Sequence, residues 1–498
     1  MKIDMSLSVR TIREPLSRFF AMAGPKIARL HSTWDPAKGA PVFTVRGRYT
    51  TRGWTEWTQG FVGGLPILQF DATGDERFWR IGREYTFHHM ASHVSHTGVH
   101  DHGFNNVSTY GNLRRLALEG RISESADAIA FYELALKVSG AVQASRWSRL
   151  ADGTGFIHSF NGPHSLFSDT IRSCRSLIVA HQLGHCLMGE HDARISLLDR
   201  AIQHIRNTSR YNVYFGEGRD AYDVRGRVAH ESIFNMTDGR YRCPSTQQGY
   251  SPFSTWTRGL AWIILGYAEE LEAFATLDDS EFEPFGGRKD IESLMLETAA
   301  ATADFYIANT PSDGIPYWDT GAPGLANMPR HLEKPAQIDN PCEPVDSSAA
   351  AIAAQGLLRL GRYLEEKYGG TSFRGKRSSP VPPQEKRGQQ KWERPVQGAG
   401  KEYWQAGLTV AKTLFAPPYL SENPKHQGLL LHSVYHRPNG WDYIPPGKHV
   451  PQGESSMWGD YHAMELAVYL KRGLDGKPFP NFFGPSTPDA NHPRAQVG

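Results

Sequence analysis

Apolar residues recur at three- and four-residue intervals through most of the chain. This spacing predicts helices over 104–119, 123–144, 168–188, 192–206, 256–275, 290–308, 346–367, 401–415 and 457–472. Segments 57–70 and 76–96 show the same period less cleanly. With the N-terminal stretch they bring the total to roughly a dozen helices. Ser123 stands just ahead of one pattern and predicts an N-cap on an amphipathic helix. Long loops rich in Gly, Pro, Trp and Asp lie between the helices, notably 209–255 and 310–345. No Gly-rich loop follows a strand and no strand–helix alternation runs along the chain, which speaks against a dinucleotide-binding fold. Helix pairs joined by elaborate loops predict an all-α toroid whose loops build a site at one end.

The segment 369–400 breaks the period. It is basic and rich in Pro, Gly and Gln, which predicts a surface insertion. Helical spacing resumes after it, so 1–475 reads as one domain with an excursion, followed by a Pro-rich tail over 476–498.

Composition narrows the function. The 54 Lys and Arg against 52 Asp and Glu leave a net charge of +2, too little for a nucleic-acid binder that relies on overall charge. Charges interrupt every apolar run near the N-terminus and no run is long enough to span a bilayer, so neither a leader nor a membrane partner is expected. Cys174, Cys186, Cys243 and Cys342 include no CxxC pair, which argues against a zinc ribbon and fits reduced thiols in the cytoplasm. The 12 Trp and 20 Tyr offer flat apolar faces with a polar handle, as a sugar site needs.

Several motifs carry chemistry-bearing residues. In HHMASHVSHTGVHDH (88–102), His89, His93, His96 and His100 would share one face if helical. No HExxH accompanies them, and hydrogen-bonded histidines are a better reading than metal ligands. Asp101 in HDHGF and Asp169 in LFSDTIRSCRSL each precede a helical pattern, where a carboxylate either caps the helix or faces a cavity. If both face one pocket, burial and mutual repulsion would raise the Asp169 pKa and prepare a general acid. In QGYSPFSTWTRGLAW (248–262), Gln248, Trp256, Arg258 and Trp262 look like a lined pocket, and Arg258 could meet a carboxylate with a forked pair of hydrogen bonds. PYWD (316–319), DSSAAAIAA (346–354) and WGDY (458–461) complete the series.

Taken in order from WTQGF at Trp57 to WGDY, these motifs resemble the unsaturated glucuronyl hydrolases of glycoside hydrolase family 88, and the resemblance covers 50–475. It implies an (α/α)6 barrel with no metal and no organic cofactor. Asp169 then matches the general acid/base, and Asp101 the second aspartate, which contacts sugar hydroxyls and modulates Asp169. Trp57, Trp256, Trp262 and Trp318 match pocket-lining aromatics. His204, Gln248 and Arg258 match polar residues close to the substrate, and His100 and Phe160 adjoin it. The implied substrate is an oligosaccharide left by a polysaccharide lyase, with a C4=C5 double bond in its terminal uronate. Asp169, protonated at rest, would deliver a proton to C4. An unsaturated rhamnogalacturonyl hydrolase, a non-catalytic carbohydrate-binding toroid and a metal-dependent α/α enzyme remain alternatives. No nucleic acid is expected as a partner, and the chain is expected to be a monomer or homodimer. It departs from the family at His158-Ser159-Phe160, where an Arg-Ser-Trp-like segment is common, at Arg172 and Arg175, and over 435–443.

Overall fold

Buried and half-exposed helices alternate along the chain, and this sorts them into two concentric rings. The computed structural model describes residues 1–52, 56–368 and 398–483. Its helices are α1 (Arg13–Thr33), α2 (Gln59–Thr73), α3 (Glu76–His89), α4 (Ala91–Val94), α5 (His102–Asn105), α6 (Asn112–Leu118), α7 (Ala126–Ser145) and α8 (Thr170–Ser173). They continue as α9 (Arg175–Gln182), α10 (Leu197–Asn212), α11 (Thr257–Phe274), α12 (Arg288–Ala308), α13 (Ser347–Tyr368), α14 (Ala399–Leu414) and α15 (Met457–Leu474).

Six segments form the inner ring: α2, α5 with α6, α8 with α9, α11, α13 and α15. Each packs on the next and α15 returns to α2. Every residue of α11 is buried, as expected of a helix apolar around its circumference. The outer ring comprises α1, α3, α7, α10, α12 and α14; α10 shows the one-sided pattern of a surface helix, burying Leu198, Ala201, Ile202 and Ile205 along one stripe. The result is the (α/α)6 barrel that the resemblance implies. One hydrophobic core runs from Leu7 to Phe483. Among the described residues, no helix is long and apolar enough to cross a membrane.

Short strands lie in the loops between helices. β1 (Phe43–Val45) and β2 (Arg48–Thr50) form a hairpin through Arg46 and Gly47, both at positive φ, as a type I′ turn requires. β3 (Trp147–Arg149) pairs with β4 (Gly155–Ile157), and β6 (Leu187–Met188) with β7 (Arg194–Ile195). β5 (Ser165–Phe167), β8 (Glu231–Phe234) and β9 (Tyr241–Ser245) make an antiparallel sheet in the order β5-β8-β9, with Phe167 opposite Glu231. That register sets His230 beside Ser168, whose N–H donates to the His230 carbonyl.

Helix boundaries differ from the spacing in physically readable places. The cap of α7 is Ser125, which accepts from the Ala128 N–H, and Ser123 lies outside. The 76–96 pattern breaks at Met90, so His96 and His100 stand off the helix and the histidine stripe is dissolved. The 168–188 pattern ends at Gln182, before Gly184 turns left-handed. The next helix begins at Leu197 instead of 192, because His191 and Asp192 take positive φ and Ser196 supplies the cap. Loop 209–255 contains β8 and β9. Of the insertion expected at 369–400, residues 369–397 lie outside the described residues, as do 484–498 of the tail.

Arg172 and Arg175, the polar departures in the acid helix, sit in a charged layer inside the inner ring. Arg172 forks onto Glu269 at 3.0 and 3.1 Å and reaches Glu465 at 2.7 Å. Arg175 donates to the Gly103 carbonyl at 2.9 Å. Buried charges of this kind persist only when paired.

Candidate active site

Asp101 and Asp169 both occupy N-cap positions, of α5 and α8, and neither side chain makes a capping hydrogen bond. Gly103 explains how they meet. A Cβ there would lie 2.4 Å from the Ser173 carbonyl oxygen, so only glycine lets α5 and α8 touch backbone to backbone. Ser173 then locks the pair: its Oγ accepts from the Gly103 N–H at 2.9 Å and donates to the His100 carbonyl at 2.5 Å.

His100 stands between the two carboxylates. Its Nε2 is 3.4 Å from Asp169 Oδ1 and 3.7 Å from Asp101 Oδ1. Nδ1 accepts from the Phe160 N–H at 3.2 Å, so a neutral His100 carries its proton on Nε2, toward the acids. The ring stacks on Phe160 at 6.0 Å and meets the edge of Phe167 at 5.7 Å. Neither His100 Nε2 nor Asp169 Oδ1 has an aligned hydrogen-bond partner among the described residues, although both are buried.

The electrostatics reverse one expectation. Burial pushes the Asp169 carboxyl up, but His100 and then His230 pull it further down, so it lies below its ordinary value. Burial pushes His100 down, while Asp101 and Asp169 raise it to a net value above the usual imidazole. Both shifts run toward a proton on His100 and an ionised Asp169, opposite to the raised Asp169 that the sequence led us to expect. An imidazolium between two carboxylates cancels the repulsion that would have raised the acid. His100, Asp101 and Asp169 are also the one set among the described residues whose donor atoms, all within 4.8 Å of one another, could share a cation.

Indoles stand at or near the N-terminal ends of the inner helices α2, α11 and α15. Trp57 is half-buried, 5.0 Å from Trp458 and edge-on to Phe104. Trp262 packs on Phe104 at 4.9 Å, and Trp256 on His230 at 4.7 Å. Trp318 behaves differently: its Nε1 donates to Glu343 at 2.7 Å, and its carbonyl accepts from the Thr257 N–H, so it braces Trp256 from behind. His204 is likewise buried. Its Nδ1 accepts from the Ile157 N–H, its Nε2 meets Thr208, and burial drives its pKa down to about 3.

Arg258 does not present its fork to solvent. It is 1% exposed, and its Nη atoms donate to Asp346 at 2.9 Å, Gln248 at 3.0 Å and the carbonyls of Val434 and Tyr435 at 2.5 and 2.8 Å. The guanidinium is packed between Trp256 and Trp458. The expected carboxylate fork is thus spent inside the protein, where it orients Gln248 and anchors the 434–442 loop.

That loop and His230 are what the sequence reading missed. Tyr435 packs on Trp458 and Trp441, His436 stacks on Trp441, and Asp442 accepts from the N–H groups of Tyr435 and His436. His230 is 2% exposed between Phe167 and Trp256, with its Nε2 lacking a hydrogen-bond partner among the described residues. It stands immediately before β8, the strand that pairs with the run into Asp169.

An (α/α)6 barrel with an acid–histidine–acid row and indoles at its inner helix ends is an architecture suited to sugar chemistry. No family model matches the chain. It is 26% identical over 440 residues to the unsaturated glucuronyl hydrolase of Bacillus sp. (strain GL1), covering 86% of this chain and 90% of that one. The crystal structure of that Bacillus enzyme superposes with a TM-score of 0.62 at 20% identity, over 92% of this chain and 97% of that one. An unsaturated glucuronyl hydrolase specific for heparin gives a TM-score of 0.64 at 18% identity, over 93% and 98%. The chain is thus similar to unsaturated glucuronyl hydrolases over 86% of its length in sequence and shares their fold over more than 90%.

Proposed function

We propose that the protein is a glycoside hydrolase that removes the 4,5-unsaturated uronic acid from the non-reducing end of lyase-generated oligosaccharides. The observation that carries this reading is the Asp101–His100–Asp169 row at the starts of α5 and α8, with His230 and the Trp256 indole packed on it close by. The unsaturated uronate is an enol ether. Protonation at C4 generates an oxocarbenium-like centre at C5, water adds there, and the hemiketal opens to expel the group at C1.

In this chain the proton starts on His100. Substrate entry strips water from the pocket and brings a second carboxylate near Asp169, and both changes raise its pKa. Asp169 takes the proton from His100 and delivers it to C4, then accepts one from the water attacking C5. Positioned acid–base groups of this kind typically contribute about 10²–10⁴-fold. Asp101 keeps the imidazole in place and meets sugar hydroxyls. The indoles pack on the flat ring. With Arg258 holding the Gln248 carbonyl oxygen, the amide NH2 is the end left to donate to the uronate. The glycosidic bond breaks without attack at C1, so the carboxyl-separation rule for retaining and inverting enzymes does not apply.

Asp169→Asn should abolish turnover while leaving disaccharide binding largely intact, followed as loss of the ultraviolet absorbance of the conjugated uronate. Wild-type turnover in that variant would sink the assignment. Four cysteines with no disulfide between them support a cytoplasmic setting.

A further inference from the structure

The outer helix α7 is apolar on the side that faces away from the barrel as well as on the side that faces it. Its inner side buries Tyr132, Leu136, Ser139 and Gln143. On the opposite side Phe131 and Leu134 are 40% and 58% exposed. Phe87 of α3, itself 36% exposed, lies flat against Phe131 with ring centroids 5.1 Å apart and planes at 13°. Met188, on the small β6 strand packed beside α7, is 52% exposed. By contrast α10 keeps its apolar stripe inside and exposes Arg210. An exposed apolar helix face calls for a cover, and none of the described residues covers the outer side of α7.

The charges on this face say what covers it. Asp127 is exposed one turn before Phe131, and Lys137 is partly exposed one turn after Leu134. Neither is tied to an opposite charge among the described residues. The two lie equally far along the helix from Tyr132, as do Ala130 and Leu134. A second α7 laid antiparallel across a two-fold axis at that midpoint sets Asp127 against the partner's Lys137, and Leu134 against the partner's Ala130. Such self-complementarity, in which residue i meets j and j meets i, is the signature of an isologous interface. We propose that the outer face of α7 is the docking site for a second copy of this chain, with the two α7 helices packed antiparallel.

The test is sedimentation equilibrium on the full chain and three kinds of variant. The wild type should show the mass of two copies, and Leu134→Glu should weaken association by about tenfold or more. Asp127→Lys and Lys137→Asp should each weaken it, and combining them should restore it, because the exchanged charges again face each other. Unchanged disaccharide turnover in each variant keeps the readout separate from folding and from the catalytic site. A wild type that keeps the mass of one copy up to about 100 µM overturns the proposal. So does a dimer indifferent to Leu134→Glu, or a double exchange no tighter than the single ones.

Discussion

A histidine with a carboxylate on either side holds its proton further into the alkaline range than a free imidazole does. In His100 that proton is the one the reaction consumes, so activity should fall on the alkaline side as pH passes the raised His100 value. His100→Gln removes the strongest influence lowering the Asp169 pKa, and burial then pushes that carboxyl up. The alkaline limb of kcat/KM should pass from His100 to Asp169 and move to lower pH. A limb that stays put in this variant would show that His100 does not store the proton. The same raised pKa has a stability sign. The ion pairs of His100 contribute fully below about pH 6.5 and are lost as pH rises through its folded value. Each aspartate preceded a helical pattern, where a cap and a site residue look alike, and it was the family resemblance that paired them. The sequence could not show the proton's address, which depends on a 3.4 Å contact across two helices.

At the scale of elements, Arg258 is the clamp of the site. It ties the first turn of α11 to Asp346 at the start of α13 and to the backbone of the 434–442 loop. Breaking a buried pair by removing one partner costs about 3–5 kcal/mol, since the other charge is left unpaired. Arg258→Ala should therefore lower the unfolding free energy from urea titration by that much and raise amide exchange over 434–442. Unaltered stability would mean the clamp does not hold. Helices were the legible elements: α11, α12, α13 and α15 lie within two residues of their predicted spans, because apolar spacing reports helix burial directly. The 434–442 loop was illegible for the complementary reason. It has no period, and it is shaped by a guanidinium and by Asp442, whose pKa burial lifts to about 6. Trp458 was visible in WGDY, but only its contact with Trp57 ties it to the other indoles.

The whole molecule carries an acid sensitivity spread through its histidines. Burial holds His31, His93, His102, His158, His432 and His436 down to about 4, and His204 down to about 3. The unfolded chain protonates them near their ordinary value of about 6.5, so between there and about 4 it binds more protons than the folded state. Stability must then fall as pH falls through that window. Asp319, Asp442 and Asp460, raised by burial to about 6, work in the opposite direction but are fewer. The thermal midpoint should drop steadily from about pH 6.5 to about pH 4; a flat profile would contradict the neutral, buried histidines. The closed inner ring has a consequence in time as well. β1 is held by the far end of the chain: the Thr44 N–H donates to the Ser455 carbonyl, and the Met457 N–H to the Val42 carbonyl. On a ribosome, which releases the N-terminal part first, Phe43 must wait for some four hundred residues to emerge before its neighbours exist. Until α15 arrives, the half-built toroid exposes the apolar flank of α2, and the newborn chain needs shelter there longest.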